Sequence, residues 1–170
     1  MNHDTLDFFS WLFADLKANH FIVLAIKNTF TKDGKTIDYW AHHNCPTPEV
    51  AAQKTTDFAN QGKDCFYAIG QFADNVETDI KGKVKVSRKK IYSKYLQELI
   101  CDVDAGQDKP YASHVEALAA AHEALAKIGL TKDEYAAVRS GNGCHIHIRL
   151  SEALPAAEWE KKALTFKTLM

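Results

Sequence analysis

Residues 95–106 read "YLQELICDVDAG". An apolar run of strand length ends in two aspartates separated by one valine, and Gly106 lets the backbone turn immediately afterwards. In a strand, residues two apart point to the same side. Asp102 and Asp104 therefore project together, while Cys101 and Val103 point the other way, toward a core. Downstream, "PYASHVEALAAAHEALAKIGL" (110–130) is the clearest helix of the chain, Ala/Leu-rich with apolar residues at helical spacing and Gly129 at its end. "EYAAVRSGNGCHIHIRL" (134–150) reads as a strand, a glycine turn and a second strand, and "LPAAEWEKKALTFKTLM" (154–170) opens another helix. From residue 95 the order is strand, helix, strand, turn, strand, helix.

Upstream, residues 4–19 carry Leu6, Phe9, Phe13 and Leu16 at helical spacing behind Asp4 as a cap, which predicts a helix. "HFIVLAIKNTF" predicts a strand, "KDG" a turn and "TIDYWAHH" the returning strand. "TPEVAAQKTTDFANQG" has a Thr cap, Pro in the first turn and Gly at the end, so it predicts a helix; "DCFYAIGQF" predicts another strand. The sum is an α+β fold. An RNA-recognition-motif-like catalytic core over 81–170, a mainly antiparallel sheet with helices, is preceded by an N-terminal α/β unit over 1–80, within one domain of 170 residues. No repeat, low-complexity tract or linker interrupts it.

Composition narrows the function classes. Hydrophobic residues at 46% and charged residues at 25% are the balance of an ordinary soluble domain, large enough for its own core. A net charge of −1 excludes a generally basic nucleic-acid coat, so any such site must be a local patch. The start, "MNHDTLDFFSWLF", lacks the cationic region and cleavage site of a signal peptide, and no apolar run approaches membrane-spanning length. A cytoplasmic protein of a bacterial host cell, with no membrane partner, is the expectation. The four cysteines, Cys45, Cys65, Cys101 and Cys144, are far apart and contain no Cys-x-x-Cys pair, which predicts free buried thiols. His42, His43 and Cys45 make half a zinc site with no second half in view.

Three features carry chemistry. Two carboxylates on one face repel unless a cation lies between them, and hard divalent ions such as Mg²⁺ prefer that oxygen environment and also hold substrate phosphates. The bland alternative is a polar loop after a strand. On the second strand, His145, His147 and Arg149 share one face while Cys144, Ile146, Ile148 and Leu150 share the other. A row of nitrogen donors suits an anion, and the turn Ser140-Gly141-Asn142-Gly143 adds backbone N–H groups suited to phosphate oxygens. The alternative is a solvent-facing strand side. Third, residues 81–94, "KGKVKVSRKKIYSK", hold seven cations and no acid. They read as a nucleic-acid contact or simply as a solvated face. Taken together, carboxylates for metal, donors for phosphate and a basic stretch for a nucleic-acid backbone form a phosphoryl-transfer arrangement.

"ICDVDAG", then a helix, then "SGNGCHIHI" resembles the catalytic core of archaeo-eukaryotic primases, in particular the primase–polymerase modules of phages and plasmids. The likeness covers about residues 60–165 and, more loosely, the N-terminal part. In that family the first motif is an apolar strand ending in an acidic-x-acidic pair that binds divalent metal; Asp102 and Asp104 match it. The second is a Ser-Gly-x-Gly-x-His turn and strand whose histidine contacts the phosphates of the incoming nucleotide; Ser140, Gly141, Asn142, Gly143 and His145 match it. The resemblance implies templated nucleotidyl transfer in DNA replication, with Mg²⁺ or Mn²⁺ held by Asp102 and Asp104. It further implies His145 on the triphosphate beside Ser140 and the turn amides. Arg88, Lys89, Lys90 and Arg139 become candidates for template or triphosphate contact. The implied partners are a single-stranded DNA template, nucleoside triphosphates and a helicase domain or subunit.

The chain departs from the family at the third motif, an apolar-aspartate element beyond the helix that begins near Pro155. Glu152, Glu158 and Glu160 substitute for it poorly, since they lie in or just before that helix. The expectation is a domain truncated at its C-terminus, one completed by another chain, or one that has lost catalysis. Two further functions stay open. A non-catalytic nucleic-acid-binding module on the same fold would bind DNA without metal or nucleotide. A His-hydrophobic-His nickase would pair His145 and His147 with a tyrosine such as Tyr92 or Tyr95, but leaves the aspartate pair and the glycine turn unexplained.

Overall fold

A computed structural model describes residues 3–141 and 143–169. The elements run α1 (His3–Leu12), β1 (Phe21–Lys32), β2 (Lys35–Cys45), α2 (Pro48–Asn60), β3 (Cys65–Phe72), β4 (Val76–Thr78), β5 (Val84–Val86), a 3₁₀ turn (Lys90–Tyr92), β6 (Ser93–Val103), α3 (His114–Lys127), β7 (Tyr135–Ser140), β8 (Gly143–Pro155) and α4 (Ala156–Leu169). The class is mixed α+β. A six-stranded, mostly antiparallel sheet has the order β2-β1-β3-β6-β8-β7, and β4 and β5 form a separate two-stranded ribbon. No helix among the described residues is long and apolar enough to cross a membrane.

The chain divides into two units, Met1–Gln97 with Ala153–Ala156, and Glu98–Glu152 with Ala157–Met170. In the first unit, β1 and β2 form a hairpin around Asp33 and Gly34, both at positive φ, the primed turn geometry that matches strand twist. The turn fixes an uninterrupted register from Lys32↔Lys35 back to Ile22↔Cys45. Ile22, Leu24 and Cys45 on one face of the hairpin pack with Phe9, Leu12 and Phe13 and with Ala51 and Ala52 of α2. α1 ends at Leu12, short of the residue 19 that periodicity predicts. Phe13 still enters the core, but the chain then turns, and the buried Gln71 side chain takes over its backbone groups. Gln71 accepts from the Lys17 N–H and donates to the Asp15 carbonyl, both at 2.9 Å. The Asp15 carboxylate accepts from Lys17 Nζ and from the Ala153 N–H, and these bonds hold its pKa below the ordinary value, Lys17 first.

In the second unit, α3 is capped by Ser113, whose hydroxyl accepts from the Glu116 N–H. It lays Ala117, Ala121 and Leu125 against Leu99, Cys144, Ile146 and Ile148. Trp159 and Phe166 of α4 pack on the same cluster, and the Trp159 indole donates to the Glu98 carbonyl at 2.6 Å. Alternation along β6 and β8 thus delivers the apolar sets to the core as the sequence pattern requires. The four cysteines are free thiols.

Candidate functional site

Asp102 and Asp104 project from the C-terminal end of β6 and just beyond it, 65% and 58% exposed. The intervening Val103 packs on the core. Both carboxylates therefore stand on one face, where period-two alternation puts them. Gly143 starts β8 against this strand end with no space to spare. A Cβ there would lie 2.2 Å from the Val103 carbonyl oxygen and 3.1 Å from Asp104 Cα. Glycine is required at this position for close approach of two backbones. That approach sets His145, two residues on, beside the aspartates: His145 Nε2 lies 3.4 Å from Asp102 Oδ1. Burial, with the Asp102 carboxylate adding to it, pushes the neighbouring Cys144 thiol above its ordinary pKa.

A cation already serves this face. Lys109 Nζ is 2.7 Å from Asp104 Oδ2. The bond to Asp104 holds the ammonium above its ordinary pKa, and the Asp102 charge adds to the effect. Lys109 was not legible as a site residue: it lies in the loop "AGQDKP", which follows the strand with no periodic signal. The two carboxylates are oxygen donors of the kind a hard divalent ion takes, whereas the His145 imidazole is not and stands beside them as a hydrogen-bonding group. Among the described residues, no group of three or more His, Cys, Asp and Glu side chains is arranged as a ready-made metal cage.

The other sequence candidates are distributed as follows. Ser140 closes β7 and pairs with Gly143 across the turn, and Gly141 takes positive φ. Asn142 lies outside the described residues. Arg139 pairs with Cys144, so it belongs to the face opposite His145, and its Nε donates to the Gly141 carbonyl at 3.4 Å. Arg149 is half-buried. His147 is only 2% exposed, with Nδ1 3.0 Å from the carboxylate of Glu98, which is equally buried. The sequence suggested an open row of donors; only His145 meets that description together with the aspartates. Glu98 carried a faint signal, since it shares the strand face of Asp102 and Asp104 by alternation.

Arg88, Lys89 and Lys90 belong to the other unit. Arg88 lies over the Trp40 ring, Lys89 Nζ is 2.7 Å from Glu77, and Lys90 begins the 3₁₀ turn. His42 and His43 are neighbours on β2 and so face opposite ways. His42 feels Arg88 and His43 packs on Phe58, and desolvation holds both pKa values below the ordinary one. No family model, no curated protein and no solved structure matches this chain.

Proposed function

We propose that the second unit carries a divalent-metal-dependent nucleotide site of the primase–polymerase type, serving templated nucleotide addition in phage or plasmid DNA replication. One observation carries the proposal: two exposed carboxylates at a strand end, with His145 3.4 Å from one of them and a glycine turn pressed against the other. The sheet order supports an RNA-recognition-motif-like core. β8 lies between β6 and β7, and α3 connects β6 to β7, the arrangement of a split β-α-β unit.

Asp102 and Asp104 would hold the Mg²⁺ or Mn²⁺ of this proposal, which would supply positive charge for the phosphates and for the attacking hydroxyl. Asp102 and Asp104 hold and orient that charge from one face. His145 donates to a phosphate oxygen, with the backbone N–H groups of Gly141 and Gly143 near it. Lys109 exchanges Asp104 for triphosphate as substrate enters. Arg88, Lys89 and Lys90 are proposed for the template strand. A nickase is the weaker proposal, because it needs His147 on the same metal as His145, and His147 is committed to Glu98.

Calorimetric titration of a nucleoside triphosphate, with Mg²⁺ or Mn²⁺ and then with chelator, tests the site. Binding is expected only with metal, to be abolished by Asp102→Ala with Asp104→Ala and weakened by His145→Ala, with circular dichroism unchanged. Equal binding by the double variant would place the site elsewhere.

A further inference from the structure

In the first unit, strand register sorts β1, β2 and β3 into two faces. Ala25 pairs with both His42 and Phe66, and Lys27 pairs with Trp40. Lys27, Trp40, His42 and Phe66 therefore share the face opposite Ile22 and Leu24. Val23 and Ala25 of that face are buried, and Asn75 bonds to Asn44 beside them, so the face is exposed only in its outer part. Trp40 and Phe66 stay 43% and 48% exposed although large and apolar. Their rings meet edge to face with centroids 5.4 Å apart, and the Arg88 guanidinium lies 5.5 Å from the Trp40 centroid. Lys27 contributes its stem beside Trp40, its ammonium held by Asp38 at 2.6 Å.

The segment that brings Arg88 to this face is the most basic of the chain. Over residues 74–94, seven cations stand against three carboxylates, Asp74, Glu77 and Asp79, whereas the whole chain has a net charge of −1. β5, at the centre of that segment, lies against β2. Exposed rings flanked by cations on the outer part of a sheet face match the chemistry of unpaired bases on a phosphate backbone, since every base has a stackable face and every nucleotide a negative charge. A duplex hides its base faces and offers phosphates alone.

We propose that the exposed patch around Trp40 and Phe66 is a stacking platform for single-stranded nucleic acid, with bases against the two rings and phosphates along the basic segment that Arg88 anchors. This deepens the proposed function by giving the template strand a seat, yet it needs neither the aspartate pair nor a nucleotide. Its failure and that of the nucleotide site are therefore distinguishable.

The test is fluorescence anisotropy of labelled 20-nucleotide thymidine and uridine strands with the full chain, in chelator and without nucleotide, at two salt concentrations. Wild type is expected to bind single strands more tightly than the matching duplex and to weaken as salt rises. Trp40→Ala and Phe66→Leu are each expected to cost about tenfold in affinity, and Trp40→Phe to retain most of it. Arg88→Ala is expected to flatten the salt dependence. Equal binding of uridine strands supports the platform and makes the sugar irrelevant; preference for thymidine supports it and selects DNA. Phe66→Leu keeps an apolar side chain, so a folding failure of Trp40→Ala does not leave the question unanswered. Undiminished binding by Phe66→Leu and Trp40→Ala, duplex bound as tightly as single strand, or no binding at all overturns the proposal.

Discussion

A methyl group on Gly143 would sit 2.2 Å from the Val103 carbonyl oxygen, inside any permitted contact, and backbone atoms on both sides leave nothing flexible to yield. Gly143→Ala must push the turn off β6, at a cost of about 1–3 kcal/mol by the measure of other overpacked sites. Thermal melting is expected to show that loss, and His145 is expected to move away from Asp102, visible as a changed imidazole resonance. The Glu98–His147 pair makes a different demand. Removing one partner of a buried hydrogen-bonded pair leaves the other's polar group stranded, at about 1–3 kcal/mol, while removing both costs much less. Glu98→Leu and His147→Leu are therefore expected to be strongly sub-additive in a denaturant-melt cycle. Additive losses would mean that the two side chains are held by separate partners. Residue identity shows why one half of the site was legible and the other was not. Asp102 and Asp104 announce themselves by spacing alone, because alternation is local. The burial of His147 depends on Glu98, 49 residues away, and no local pattern in "CHIHIRL" encodes it.

Helix α2 was legible nearly to its ends because its Thr47 cap is written in the sequence, whereas α3 starts at His114, four residues inside the stretch read as helix, behind a Ser113 cap that the apolar spacing does not reveal. Thr47 and Ser113 both accept from the N–H three residues on, and Pro48 opens α2. Thr47→Ala and Ser113→Ala are each expected to lower stability by about 1 kcal/mol in urea melts, with glycine at the same positions costing less. The limit of α1 was less legible. Phe13 and Leu16 continue the apolar period beyond Leu12, but the buried Gln71 competes for the backbone of residues 15–17 and wins. The β4–β5 ribbon was hidden for a third reason: its residues fall in and before the lysine-rich run, where charge masks the alternation of Val76, Val84 and Val86. The same blindness covers Trp40 and Phe66. Each reads as an ordinary strand aromatic until register puts the two rings on one face.

Each unit has its own apolar cluster, and each cluster contains a cysteine, Cys45 in one and Cys144 in the other. Desolvation pushes the Cys45 thiol up to about 11, so almost no thiolate exists at pH 8 while that cluster is intact. Treatment of native protein with a thiol reagent at pH 8 is expected to spare Cys45 and to label it only when denaturant opens the first unit. Peptide mapping after the reaction separates it from the other three. Rapid labelling of Cys45 in native buffer would mean that this core opens easily.

The division of the chain also governs how the gene can be dissected. Ala153–Ala156 belongs with residues on the far side of the Gln97 break, where the Ala153 amide completes the Asp15 carboxylate. Neither half-gene is therefore self-sufficient in the same way. A product ending at Gln97 lacks four of its own residues, whereas one starting at Glu98 carries them as a borrowed piece. Two such products made together have a reason to find each other, and a single break in the coding frame at that point leaves the missing amide on the other product.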